Sequence, residues 1–247
     1  MSISSSDIKF VQSLQQKKFR KESGLFVTEG VKPVRELLDS DLEIEQVYST
    51  EELEFLPSHF TKLSEKELGR MSGLKTANRV LALAKIPEKE LTWENPLMLL
   101  LDGISDPGNL GTIIRTAKWF GVTEIICTTN CVDAYDRKVV QSTMGALFHV
   151  SVVYEELDVI LEQAETQGYS LAGTDMNGES VFDFERMDKT IVVIGSESHG
   201  MSEQVRAACK DFISIPNLES EQKVESLNAG IATGIVLSQL TKTQSDG

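Results

Sequence analysis

The sequence predicts an α/β fold in which a larger parallel-sheet domain follows a smaller α/β domain. Short apolar runs recur along the second part of the chain, and most of them are separated by segments with helical spacing. Continuous apolar runs are typical of parallel strands that are covered on both faces. A polar stretch between Pro87 and Pro96 precedes them and is typical of a domain-joining loop. We therefore expect domains at residues 1–90 and 91–247.

Both domains alternate between strand and helix patterns. The strands predicted for the larger domain lie at residues 97–101, 124–127, 148–153, 170–174, 191–194 and 212–215. The elements predicted for the smaller domain are a helix at 5–20, a strand at 25–28, a helix at 31–38, a strand at 44–48, a helix at 65–71 and a strand at 79–86. Ser5 is the predicted N-cap of the first helix. Ser64 and Glu67 have the spacing of a capping box.

The composition limits the classes of function. The chain carries 38 Asp and Glu against 24 Lys and Arg, which gives a formal net charge of −14. Such a chain is unsuited to coating nucleic acid without preference, because that binding depends on neutralising phosphates with Lys and Arg. The sequence contains neither a membrane-spanning apolar run nor the layout of a secretory signal, so we expect a cytoplasmic protein and no membrane partner.

A basic cluster near the amino terminus is a local exception to this acidic composition. It consists of Lys17, Lys18, Arg20 and Lys21. Clustered cations of this kind favour contact with nucleic-acid phosphates. A solvated helix end explains the same run, and the residues alone leave both interpretations open.

The cysteines predict no metal site. They are three in number, Cys127, Cys131 and Cys209, and the first two lack the second cysteine pair or histidine cluster that would complete a zinc site. An odd number also argues against a disulfide framework. We interpret them as buried or inert thiols.

Three polar loops directly follow predicted strands and are the candidate places for chemistry. In an open α/β sheet, ligands bind beyond the carboxyl ends of the strands. The first loop, 102–111, leads into a helix in whose first turn we place Arg115. The second loop is 195–200, and the third runs from 215 to 229 with Ser226 as the expected helix cap. Turn formation or capping explains each loop alone, but not three such loops in one domain.

A serine hydrolase is the rival suggested by the second loop. Residues 196–200 nearly match the Gly-x-Ser-x-Gly elbow of α/β-hydrolases. That arrangement needs a histidine downstream of the serine, whereas the last histidine of this chain is His199. No Gly-x-Gly-x-x-Gly dinucleotide fingerprint follows any predicted strand either.

Segments of the three loops resemble the signature motifs of one enzyme family. In chain order they are similar to the three motifs of the SpoU (TrmH-like) RNA methyltransferases of the SPOUT superfamily. They read Asn109-Leu110-Gly111-Thr112-Ile113-Ile114-Arg115-Thr116-Ala117, Gly195-Ser196-Glu197-Ser198-His199-Gly200 and Ser226-Leu227-Asn228. The resemblance covers roughly residues 95–240. The front of the chain, including residues 18–20 and 26–30, is more loosely similar to the small RNA-substrate-binding domain that often precedes this one.

The resemblance implies a fold, a cofactor and partners that the residue patterns do not predict. It implies a deep trefoil knot in the larger domain, although knots are rare and pattern alone favours an ordinary doubly wound sheet. It also implies S-adenosylmethionine as cofactor, a homodimer with its active site near the subunit interface, and methyl transfer to a ribose 2′-hydroxyl of RNA. Ribosomal RNA is preferred over transfer RNA, because the front domain resembles those of members that act on ribosomal RNA.

The family's functional residues carry over position by position. The implied catalytic residues are Arg115, Ser226 and Asn228, with Asn109 and Glu197 holding the loops or the substrate end of the site. The implied cofactor-binding residues are Thr174, Gly195, Glu197, Gly200, Ile215, Pro216 and Leu227. The basic cluster becomes the expected RNA-binding set. A guanidinium is a reluctant base, so we expect Arg115 to stabilise the developing alkoxide or to clamp a phosphate.

The sequence departs from the family pattern in places. The loop between Pro216 and Ser226 is longer than usual, Asn217 stands where methionine is usual, and Ala229 where valine is typical. Two alternatives stay in view: a knotted methyltransferase that acts on a base nitrogen, and a catalytically silent RNA-binding homologue. The presence of Arg115 together with the motif Ser226-Leu227-Asn228 favours the ribose enzyme over both.

Overall fold

The computed structural model describes residues 3–74, 76–217 and 226–242, which form two compact units. The first unit comprises the described residues up to Glu88 together with Asp133–His149. The second comprises Lys89–Val132 and the described residues from Val150 onward. The packing thus groups the segment 133–149 with the first unit, whereas the sequence prediction places it in the second domain. The assignment of functional domains to 1–90 and 91–247 stays a prediction.

The helices and strands follow the alternating order expected from the sequence. In chain order the strands are β1 (Leu25–Glu29), β2 (Ile44–Ser49), β3 (Thr61–Lys62), β4 (Val80–Lys85), β5 (Leu97–Asp102), β6 (Glu124–Thr128), β7 (Ser151–Glu155), β8 (Ser170–Ser180), β9 (Thr190–Gly195) and β10 (Asp211–Ser214). The helices are α1 (Ser5–Ser13), α2 (Lys17–Ser23), α3 (Val31–Leu38), α4 (Glu65–Met71), α5 (Pro107–Trp119), α6 (Arg137–Thr143), α7 (Leu157–Thr166), α8 (Glu203–Ala208) and α9 (Ala229–Leu240).

The first unit is built on a four-stranded mixed sheet with the order β1-β4-β2-β3. β4 pairs antiparallel with both β1 and β2, and β2 pairs parallel with β3. Buried side chains of α1 and α4, among them Val11 and Leu68, share one apolar core with Leu81 and Leu83 of β4. Helix α4 begins with the capping box expected from Ser64 and Glu67. That part of the prediction is confirmed.

The single helix predicted at 5–20 is instead two helices, α1 and α2. The first is capped by Ser4 rather than Ser5, in a capping box with Asp7. The chain turns at residues 14–16, where the guanidinium of Arg20 donates to the carbonyl oxygens of Leu14 (2.8 Å) and Gln15 (3.0 Å). These carbonyls are therefore satisfied by a side chain in place of a continuing helix, which explains the break.

Arg20 is a structural residue and not an exposed member of the basic cluster. It is 2% exposed, and its guanidinium donates two hydrogen bonds to Asp133 Oδ2, at 2.6 and 3.0 Å. This corrects the expectation that Arg20 binds RNA, because a buried guanidinium held by a carboxylate and two carbonyls cannot reach a phosphate. Lys17, Lys18 and Lys21 are exposed on α2.

Buried charges and aromatic rings also hold the segment Asp133–His149 in the first unit. Besides the bond from Arg20, Arg137 of α6 donates to the buried carboxylate of Glu29 at 3.3 Å. The ring of Tyr135 lies 4.9 Å from that of Phe26. Sequence pattern did not indicate this packing, because a single short segment carries no signal of which sheet it covers.

The second unit contains a parallel six-stranded sheet with the order β10-β8-β9-β5-β6-β7. This confirms the parallel sheet predicted from the apolar runs. The strand predicted at 148–153 begins only at Ser151, because Ala146–His149 forms a 3-10 turn. β8 extends to Ser180, and its pairing with β10 shifts register after Phe212.

Helices cover both faces of this sheet. α7 and α8 bury Ile160 and Val205 against Met98 and Val193. α5 and α9 pack against each other, and α9 also contacts β9. Across the described residues, no helix is both long and apolar enough to span a membrane. Cys127 and Cys131 are buried and Cys209 is partly buried, all three as free thiols.

The buried position of Arg20 gives a test of the first unit. Arg20→Ala removes a charged partner from Asp133, and breaking a buried pair in this way typically lowers the free energy of unfolding by about 3–5 kcal/mol. Lys21→Ala, one residue away and exposed, is the matched control and should change it by less than about 0.5 kcal/mol. Urea unfolding measures both. Equal stability of the two variants would contradict the structural role of Arg20.

Candidate active site

Two of the candidate loops leave the sheet side by side. β5 and β9 are neighbouring parallel strands, and their last residues, Asp102 and Gly195, pair with each other. The first and second loops therefore begin at the same edge of the sheet. The third loop follows β10, which is separated from β9 by β8. All three loops can therefore meet only if the end of the third loop lies near the carboxyl ends of β5 and β9.

The first loop is short, and most of the first motif is helical. α5 begins at Pro107, and its N-cap Asp106 accepts a hydrogen bond from the backbone N–H of Asn109 at 2.8 Å. Asn109 is consequently in the first turn and almost buried. Arg115 is the ninth residue of this helix and lies in its third turn, not in the first turn as the sequence prediction had it.

The second loop is a tight turn closed on itself. The backbones of Ser196 and Gly200 exchange two hydrogen bonds, at 3.0 and 2.8 Å. Gly195 makes this closure possible, because a Cβ at that position would lie 2.3 Å from the carbonyl carbon of Gly200. The turn leaves Glu197 exposed at its tip.

The third loop ends in the cap of α9. The cap residue is Asn228, whose Oδ1 accepts hydrogen bonds from the backbone N–H groups of Gly230 (3.0 Å) and Ile231 (3.3 Å). The expectation that Ser226 caps this helix was wrong, since Ser226 lies two residues before the cap and is exposed. Asparagine is as good a cap as serine, so helix capping alone did not distinguish the two.

One side chain joins the three loops. The Nδ2 atom of Asn228 donates to Oδ1 of Asn109 at 2.7 Å and to Oε1 of Glu197 at 3.0 Å. The same Glu197 oxygen accepts the backbone N–H of Ala229 at 3.2 Å. Three of the residues singled out from sequence, one from each motif, therefore form a single hydrogen-bonded network at the carboxyl edge of the sheet.

The other candidate residues are not part of this network. Thr174 donates to the carbonyl of Val193 at 2.9 Å within the sheet edge. Ile215 directly follows β10 and is half-buried, and Pro216 and Leu227 are exposed. Arg115 is exposed and makes no hydrogen bond or ion pair with the described residues.

The position of Arg115 follows from helix geometry. It lies six residues after Asn109, which corresponds to about 9 Å along the axis and to about 120° around it. The side chains of Arg115 and Asn109 therefore leave α5 in different directions. No hydrogen bond joins Arg115 to the network among the described residues.

Sequence reasoning missed one buried acid at this edge. Asp102 is 5% exposed, and its Oδ2 accepts the backbone N–H of Ser202 at 2.6 Å. The available signal was a carboxylate directly after five apolar residues, a position where an unsatisfied charge would be costly. In the parts of the chain that the structure describes, no cluster of three His, Cys, Asp or Glu side chains is arranged to hold a metal ion.

The negative charge of the chain is concentrated in the unit that carries this site. The second unit holds 22 of the 38 acidic residues and 9 of the 24 Lys and Arg. The first unit holds the other 16 acidic and 15 basic residues and is nearly neutral. Any polyanion is therefore repelled less by the first unit than by the second.

Comparison with known proteins agrees with the motifs. Residues 96–238 match the model of the SpoU rRNA Methylase family, and residues 5–82 match that of the MRM3-like substrate binding domain. A 23S rRNA (guanosine(2553)-2′-O)-methyltransferase, RlmP, of Bacillus subtilis (strain 168) is 27% identical over 94% of this chain and 95% of its own length. A 23S rRNA (uridine(2479)-2′-O)-methyltransferase of Streptomyces viridochromogenes is 30% identical over 86% of this chain and 82% of its own.

A solved structure shares the whole fold. The SpoU methyltransferase AviRb of Streptomyces viridochromogenes, in complex with the cofactor AdoMet, superposes with a TM-score of 0.86 at 25% identity, over 99% of this chain and 100% of its own. The matched SpoU region spans more than half of the chain and contains all three residues of the hydrogen-bonded network. The chain belongs to the SpoU rRNA methylase family.

Proposed function

We propose that this protein is an S-adenosylmethionine-dependent methyltransferase that modifies a ribose 2′-hydroxyl of ribosomal RNA. The observation that carries the proposal is the network of Asn109, Glu197 and Asn228, which draws the three family motifs to one edge of the sheet. The two relatives described above methylate a guanosine and a uridine, so what they share is the ribose and not the base. This favours ribose chemistry over methylation of a base nitrogen.

The residues at this edge fit a cationic organic cofactor. Oε1 of Glu197 is used in the network, while Oε2 has no hydrogen-bond partner among the described residues and leaves negative charge available. Leu227, next to Asn228, is 44% exposed and offers apolar surface to an adenosine. We propose that Thr174, Gly195, Gly200, Ile215 and Pro216 complete the pocket, largely through backbone groups.

The chemistry needs an oriented hydroxyl and a place for its proton. When bound, S-adenosylmethionine supplies an electrophilic methyl group on a sulfonium centre. The ribose oxygen forms the new O–C bond as the C–S bond breaks, and the hydroxyl proton leaves to a phosphate or to water. We propose that Ser226 orients the ribose, that Asn228 contributes by holding Asn109 and Glu197 in place around it, and that Arg115 stabilises the negative charge developing on the ribose oxygen.

The location of Arg115 supports action across a homodimer. Thr112, Arg115 and Trp119 lie on one side of α5, where Trp119 is 84% exposed. This side adjoins α9, since a Cβ at Gly230 would lie 2.7 Å from Cγ2 of Thr112. Ile231 of α9 is 56% exposed, and exposed apolar side chains on adjoining helices favour a protein interface. We therefore propose that the two helices form the dimer contact and that Arg115 completes the partner subunit's site.

The trefoil knot is proposed from the path of the carboxyl-terminal part of the chain. β10 lies at one edge of the sheet, whereas α9 packs against α5 and β9 near its middle. Nε of Arg186, in the connection between β8 and β9, donates to the carbonyl of Leu240 in the last turn of α9 at 3.1 Å. This connection thus lies against the end of α9, which supports the proposal that the carboxyl-terminal part of the chain runs beside it. A cytoplasmic location is proposed together with the ribosomal substrate.

The role of Arg115 is tested by separating chemistry from cofactor binding. Arg115→Ala should lower kcat/KM for methyl transfer by about 100-fold or more, the usual loss for a group that stabilises developing charge. The Kd for S-adenosylmethionine, measured by calorimetry, should not change. Lys118→Ala, an exposed cation on the same helix, is the control and should retain activity. Loss of cofactor binding in Arg115→Ala would refute this division of labour.

The action of Arg115 across the dimer is tested with mixed subunits. Arg115→Ala and Asn228→Ala subunits, each inactive as homodimers, are co-expressed with different tags and the heterodimer is purified. If Arg115 acts on the partner subunit, one site in the heterodimer is intact and about half of the wild-type activity returns. A heterodimer as inactive as both parents would show that Arg115 acts within its own chain, and Asn109→Ala can replace the second variant.

The remaining lysines of the basic cluster are tested by salt dependence. Changing Lys17, Lys18 and Lys21 together to alanine should weaken binding to a ribosomal RNA fragment and flatten the slope of log K against log salt by about 2 to 3 units. The matched control changes three other exposed lysines of the same unit, Lys32, Lys62 and Lys66. An equal loss of RNA affinity in both variants would show a general effect of charge and would reject α2 as the RNA contact.

A further inference from the structure

Asp102 is a buried acid whose role the motifs do not explain. It ends β5 after five buried apolar residues and is itself only 5% exposed. A carboxylate in such a place is costly unless its charge is hydrogen-bonded or paired. The described part of the chain offers it no Lys, Arg or His partner. The buried carboxylate of Asp102 must therefore be stabilised by accepting a hydrogen bond from another group.

That role is to accept one backbone N–H. Oδ2 of Asp102 lies 2.6 Å from the nitrogen of Ser202, and Oδ1 has no hydrogen-bond partner among the described residues. Ser202 lies two residues after the turn of the second loop and is the N-cap of α8. Hydrogen bonds to an ionised acceptor are shorter and roughly twice as strong as neutral ones. Asp102 thus fixes the downstream end of the turn with a single strong bond.

The same residue also fixes the upstream end. Asp102 pairs with Gly195 across the sheet, and Gly195 is where the turn leaves β9. Glu197 lies between these two fixed points, on a turn closed by the two backbone bonds of Ser196 and Gly200. The position of Glu197 against Asn228 therefore depends on both ends being held.

We infer that Asp102 is a positioning residue that holds the Glu197 turn in the shape that binds the methyl donor. It acts through Glu197 and the backbone of the turn. Without its carboxylate, the N–H of Ser202 loses its hydrogen-bond partner. The turn is then held only at its Gly195 end, by the pairing of β5 with β9. The inference rests on the proposed cofactor.

A second buried carboxylate provides the matched control. Glu124, at the amino end of β6, is 2% exposed and accepts the backbone N–H of Thr92 at 2.6 Å and Nδ2 of Asn95 at 2.5 Å. Its burial and backbone partner resemble those of Asp102, but it lies at the opposite end of the parallel strands from the site. Any general effect of losing a buried acid should therefore affect both positions.

The experiment measures the Kd for S-adenosylmethionine by calorimetry, well below the unfolding temperature of each variant. Asp102→Ala should weaken binding by about 10- to 100-fold, the range for loss of one hydrogen bond to a charged group. KM for RNA should stay within about 2-fold, since the lysines proposed to bind RNA lie on α2 of the first unit. Glu124→Ala should bind the cofactor like the wild type. Wild-type affinity in Asp102→Ala, or an equal loss in Glu124→Ala, overturns the inference.

Asp102→Asn decides the matter if the alanine variant does not fold. Asparagine keeps the shape and one acceptor oxygen but no charge, so a loss of a few-fold is expected. In a Glu197→Ala background the same change should have no further effect, because Asp102 acts through Glu197. Full affinity in Asp102→Asn, or additive losses in the double variant, contradicts the inference. Failure of the wild-type protein to bind the cofactor would instead reject the proposed function.

Discussion

The amide group of Asn228 is the point on which the site depends. It donates to Asn109, 119 residues away in sequence, and to Glu197, 31 residues away, while its oxygen caps α9. All the polar atoms of one short side chain are thus used to join two loops and a helix end. A residue with fewer donors could cap the helix but could not connect both partners. This explains why an asparagine, rather than the neighbouring serine, occupies the cap.

Around that side chain, the geometry of the backbone sets the positions of the first and second loops. The parallel pairing of β5 with β9 starts two loops side by side, and glycine at position 195 lets the second loop close against its own strand. The buried carboxylate of Asp102 then fixes where that loop ends. The edge of the sheet at which the three motifs meet is therefore shaped mainly by main-chain groups, which buried side chains such as Asp102 hold in place.

Much of the fold could be predicted from the sequence, and the errors have physical causes. The apolar runs predicted the parallel strands, because such runs are buried on both faces of a sheet. The polar segments that follow those strands predicted the three loops. The break between α1 and α2 was missed because it depends on Arg20, whose partner Asp133 is 113 residues away. Arg115 was placed in the wrong turn because the start of α5 depends on Asp106 and Pro107, which resembled loop residues. The role proposed for Arg115 involves a second copy of the chain, which the periodicity of a single sequence does not describe.

The packing of residues 133–149 with the first unit has a consequence for how this chain could arise and be recombined. A gene crossover near codon 90 would join one front half to another protein's back half and would separate Arg20 from Asp133 and Glu29 from Arg137. Each exchange would leave buried charges facing unmatched side chains. A chimera therefore keeps these ion pairs only if residues 133–149 are exchanged together with the front segment.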